Sequence, residues 1–63
     1  MTSKGIAQRL IAKYGQQDAI WKVEDRLDSI AGLQAYFKSR ADTAALQAYR
    51  MLWTAVGNHL TRA

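Results

Sequence analysis

Cysteine and proline are both missing from this chain of 63 residues, histidine occurs once, and there are only four glycines. Without cysteine there can be neither a disulfide nor a thiolate metal site, so a chain this short must be held by its apolar core or by a partner subunit. The lack of proline and the scarcity of glycine leave little to interrupt helices. Alanine, leucine and glutamine are plentiful instead, which makes a β-rich fold an unlikely reading of the composition. Long apolar runs are absent too. Nothing approaches the roughly 18 residues of a membrane span, and the N-terminus has no apolar stretch of the secretory type, so a cytoplasmic location is expected.

Catalytic chemistry is equally sparse. No Gly-rich phosphate loop and no paired-histidine metal spacing occurs, and the lone His59 lies near the end of a helical pattern, where a positive charge suits the helix dipole. Glu24, Asp25 and Asp28 lie near one another on a helix, but a solvated acidic face partly paired with Lys22 and Arg26 is the simpler account. The expectation is a non-enzyme with no cofactor and no metal.

What the chain does contain is helical periodicity. Ile6, Ala7, Leu10, Ile11 and Tyr14 form one stripe, with Ser3 as its expected cap and Gly15 as its terminator. Asp18 is the expected cap of a second helix, whose stripe runs Ile20, Val23, Leu27, Ile30 and Phe37, with Gln34 as its one polar member. That glutamine is expected at the margin of the core or hydrogen-bonded across to another helix, with the Tyr49 hydroxyl as one candidate partner. A third stripe is Leu46, Tyr49, Trp53, Val56 and Leu60. Nothing between Leu33 and Val56 is glycine or proline, yet the second and third stripes are half a turn out of phase at about 100° per residue. The chain must therefore reverse between them. Ser39 and Asp42, spaced like a capping box, mark the place. The expected fold is a single all-α domain with helices at about 3–14, 18–38 and 42–61: a short N-terminal helix packed on an antiparallel two-helix hairpin, dimeric because so small a core needs help.

The tetrapeptide LQAY occurs at Leu33–Tyr36 and again at Leu46–Tyr49. In the second copy Leu46 and Tyr49 lie on the core stripe; in the first Tyr36 lies on the far side of its helix. The copies read as a coincidence of composition, with Tyr49 expected inside and Tyr36 outside. Trp21 is also off the core stripe, with Asp25 and Asp28 as helical neighbours. Trp21, Asp25, Asp28 and Tyr36 are accordingly the candidate contacts to a partner protein. Ala44, Ala48, Met51 and Ala55 recur on the back of the third helix, and Ala48, Met51 and Ala55 are the candidates for self-association.

A net charge of +4 permits nucleic acid as an alternative partner, through Lys4, Arg9, Lys13 and Lys22. Arg9 to Val23 does read as helix, glycine, helix. It departs from the helix-turn-helix pattern, however, because Ala12 stands three rather than four residues before Gly15 and Gln16 follows it. The presumed recognition helix also carries Asp18, Glu24, Asp25 and Asp28, which phosphate repels. The segment DAIWKVEDR, Asp18 to Arg26, is similar to part of the small Hha-like proteins, helical modulators that bind a nucleoid protein. It covers nine residues, and the segment after it is longer than in that family, so no residue role is carried over. The expected function is that of a small interaction protein of inhibitor or anti-activator type, analogous to phage or mobile-element accessory factors; the alternative is a basic regulator associated with nucleic acid.

Overall fold

In the computed structural model, which describes residues 2–62, the chain is a bundle of three α-helices of unequal length. They are α1 (Ser3–Tyr14), α2 (Gln16–Tyr36) and α3 (Arg40–Arg62). At about 1.5 Å per residue α1 is about 18 Å long and α3 about 35 Å. The latter accounts for the 36 Å long dimension of the molecule. α2 and α3 form the expected antiparallel hairpin and pack tightly: a Cβ on Gly57 would touch Val23 Cγ1 at 3.4 Å, and Gln16 Nε2 donates to the Leu60 carbonyl at 2.8 Å.

The helix ends depart from the expected ones for identifiable reasons. Thr2, not Ser3, caps α1, its hydroxyl accepting the Gly5 N–H at 3.0 Å, and Ser3 is the first helical residue. Gly15 ends α1 as expected, but it is the whole connection. Its φ of 83° and ψ of 161° lie in a region open essentially to glycine alone. It donates its N–H to the Ile11 carbonyl at 2.8 Å and accepts the Ala19 N–H at 3.0 Å, so one residue closes α1 and opens α2. α2 therefore starts at Gln16, and Asp18 lies in its first turn rather than capping it.

The reversal falls at Phe37, Lys38 and Ser39, so α2 ends two residues earlier and α3 begins two residues sooner than the sequence suggests. Ser39 accepts the Asp42 N–H at 3.1 Å and donates its hydroxyl to the Asp42 carboxylate at 2.8 Å. The pair expected to mark the turn does so. Ser39 is the cap, and Asp42 supports it from the first turn.

The core occupies the lower part of the hairpin, where α1 crosses it. Ala7, Ala19, Val23, Val56 and Leu60 are buried together, with Ile6, Leu10, Ile11, Ile20, Leu27, Leu52 and Trp53 packed around them. Ile30 is buried further up between α2 and α3. Among the described residues two of the six buried ones are alanines, and only Val56 and Leu60 are large side chains with no exposure, so the core is small even for this length.

The main correction concerns Tyr49. Its phase does place it on the face of α3 that carries Val56 and Leu60, yet it is 57% exposed. The cause is length. α1 reaches only the lower hairpin, so a side chain on the inner face of α3 near the reversal has no third helix to bury it. Gln34 does bond across the hairpin, but to Gln47 and Arg50, each at 3.4 Å, and not to Tyr49.

Candidate functional site

Trp21 lies about 160° around α2 from both Ala19 and Val23 at 100° per residue. α1 does not cover it, and it is 58% exposed. With Asp18, Lys22 and Asp25 it lines a shallow depression of about 270 Å³ on the outer face of α2. The indole is thus flanked by carboxylates at positions three before and four after it, with a lysine beside it. Asp28 lies further along the same side of the helix and is exposed. Trp21, Asp25 and Asp28 therefore share one face.

Tyr36 does not join them. It is 79% exposed, but fifteen residues beyond Trp21, or about 22 Å along the helix axis. Its ring stacks edge-on against Phe37 with centroids 5.0 Å apart. It belongs to a separate group at the hairpin tip, where Leu33, Phe37 and Tyr49 are also exposed and where a hollow of about 200 Å³ opens between Leu33, Phe37, Ala45 and Leu46. Leu33, Phe37 and Tyr49 escaped the sequence reading as surface residues. The signal was present in the lengths of the helical patterns rather than in their phases.

On the back of α3, Met51 is 66% exposed and Ala48 is exposed, while Ala55 is half-buried. Met51 and Ala55 line a shallow hollow with Gln47, Arg50, Thr54 and Asn58. α1 leaves Ala44, Ala48 and Met51 uncovered, so the apolar back of α3 has no second layer within the described residues.

The four candidate basic residues fall into two groups. Across the Gly15 turn, the Lys13 and Lys22 ammonium groups lie 5.2 and 4.4 Å from the centre of the Tyr14 ring, a cation–π arrangement that gathers two positive charges at the α1–α2 junction. Lys4 lies instead beside His59 and Arg62, around a hollow also lined by Gln8 and Ile11. Arg9 is exposed between them on α1. A further groove of about 400 Å³ separates Tyr14 and Lys22 from Arg26, Ser29 and Trp53. There the Arg26 guanidinium sits 5.1 Å over the Trp53 ring, so Trp53 is a wall of the groove as well as a neighbour of the core.

Among the described residues no three His, Asp or Glu side chains converge as metal ligands, and Glu24, Asp25 and Asp28 do not form such a group. No helix among them is long and apolar enough to cross a membrane. No protein-family model, no curated protein and no solved structure matches the chain.

Proposed function

We propose that this chain is a non-catalytic interaction protein that binds and modulates a partner protein, and that it works as a homodimer. The observation that carries the reading is the imbalance of apolar side chains. Among the described residues six hydrophobic ones are buried, two of them alanine, while Trp21, Leu33, Tyr36, Phe37, Tyr49 and Met51 all remain outside. Large exposed aromatics of this kind are the residues that dominate protein interfaces. The Trp21 face is the partner site in this reading: an aromatic anchor framed by Asp18, Asp25 and Asp28 suits a groove with basic edges. Inhibitor or anti-activator action follows from occupying such a groove, and the resemblance to phage or mobile-element accessory factors is one of type only.

The test compares Trp21→Ala with the unaltered chain as immobilised baits for a cytosolic extract of the host. The variant is expected to retain its helicity and melt within about 0.5 kcal/mol of the parent, as surface substitutions do. It should lose a bound protein that the parent retains. A large fall in melting temperature would mean that Trp21 is structural and would remove it from the site.

A second reading, binding of nucleic acid, is favoured by one observation: Lys13 and Lys22 are brought together over Tyr14. With Lys4 and Arg9 they would neutralise up to four phosphates. Duplex affinity would then fall with a log–log salt slope of about −3.6. No binding to duplex at low salt would dismiss it.

A further inference from the structure

Lys22 and Arg26 stand about one turn apart on α2, and the sequence alone suggests that both pair with the acidic face of that helix. The structure turns them away from it. Lys22 has Asp18 four residues before it and Asp25 three after it, both within helical reach, yet its ammonium group lies 4.4 Å from the centre of the Tyr14 ring. The Arg26 guanidinium lies 5.1 Å over the Trp53 ring. Among the described residues neither cation has a hydrogen bond or an ion pair, so their donors are uncommitted.

Both line the groove of about 400 Å³, to which all three helices contribute. Leu10 of α1 and Val23 of α2 give it an apolar base, and the half-buried Tyr14 and Trp53 are its aromatic walls. Asp25 also lines the Trp21 depression, so this carboxylate forms the ridge between the two hollows. The volume lies within the range of small-molecule sites, about 300–1,000 Å³.

We propose that this groove binds a nucleoside phosphate, with the base between Tyr14 and Trp53 and the phosphate on Lys22 and Arg26. The inference goes beyond both functional readings above: the Trp21 face takes no part in it, and it shares Lys22 with the nucleic-acid reading but not the duplex. Other occupants leave half of the groove unsatisfied. An apolar ligand would desolvate two cations without giving them an acceptor. A bare anion would leave Leu10 and two aromatic rings facing water. A planar base that carries a phosphate answers both halves, since aromatic side chains stack on the face of any base and an ammonium with a guanidinium holds phosphate oxygens through charge-assisted hydrogen bonds. The charges agree as well. Lys22 and Arg26 offset the roughly two negative charges of a phosphate monoester at pH 7, with Asp25 opposing them from the ridge. The ring contacts hold both cations in place before the ligand arrives, which lowers the entropic cost of binding.

Tryptophan fluorescence reads the site directly, because Trp53 is in its wall and the second indole can be removed by Trp21→Phe. In that background adenosine 5′-monophosphate should change the Trp53 emission with a dissociation constant below about 1 mM, and Lys22→Gln and Arg26→Gln should each raise it about tenfold or more, the effect of losing one charge-assisted hydrogen bond. Asp25→Asn should tighten binding a few-fold, because it removes a like charge from the ridge. Adenosine and inorganic phosphate, titrated separately, should each bind at least about tenfold more weakly than the nucleotide. A single strand of about ten deoxyadenosines separates the two sources of the ligand: affinity per nucleotide above that of the monophosphate assigns the site to a strand, and equal or lower affinity assigns it to the free nucleotide. An unchanged emission at about 10 mM nucleotide overturns the proposal, as does inorganic phosphate binding as tightly as the nucleotide, or a site indifferent to both Lys22→Gln and Arg26→Gln. Both cations are exposed, so these variants should melt with the parent. If either is destabilised, the Asp25→Asn variant and the adenosine and phosphate titrations still decide.

Discussion

Gly15 offers the sharpest test of how this chain folds, because it acts through the backbone alone. Its φ of 83° and ψ of 161° place it where an L-residue is strained by about 1–3 kcal/mol. A Cβ built there meets nothing within 4 Å, so no packing clash confuses the result. Replacing glycine with alanine also restricts the unfolded chain, which returns about 0.4–1 kcal/mol. Gly15→Ala should therefore lose about 1–2 kcal/mol, and at about 4–8 °C per kcal/mol for a domain of this size the melting temperature should fall by about 5–15 °C. D-alanine at the same position is the control. For a D-residue these angles mirror to the edge of the extended region, so most of the strain is relieved while the unfolded-state effect remains, and the synthetic chain should melt at or a few degrees above the parent. Circular dichroism at matched chain concentration measures both, since association would make melting depend on concentration. If the two variants melt within about 2 °C of each other, the positive φ is not what joins α1 to α2 and the account of the turn is wrong.

The other stability predictions follow from burial and capping. Gly32 lies within α2 with open space around it, so Gly32→Ala should stabilise by about 0.5–1 kcal/mol in denaturant unfolding. Gly57→Ala should gain less, because the new methyl group meets Val23 across the hairpin at 3.4 Å. Leu60→Ala removes the largest fully buried side chain and should lose about 2–5 kcal/mol, enough to unfold much of a chain with so small a core at 37 °C. Ser39→Ala removes the cap of α3 and should lose about 1 kcal/mol, with faster amide exchange confined to the residues after the reversal.

The architecture was legible in the sequence wherever a phase or a turn residue decided it. The half-turn offset between the Ile20–Phe37 and Leu46–Leu60 stripes required the reversal, and Ser39 with Asp42 located it. The outward positions of Trp21 and Tyr36 came from the same arithmetic. What phase alone could not give was height. Periodicity says which way a side chain points around its helix, not whether another helix stands opposite at that level. Tyr49 points toward the bundle interior and is exposed because α1 stops short. The start of α2 was missed for a different reason. Asp18 is a good local cap, but Gly15 makes a one-residue connection, and the bond from Gln16 to the Leu60 carbonyl holds the earlier turn in place from across the hairpin. Local preference gave way to a tertiary contact.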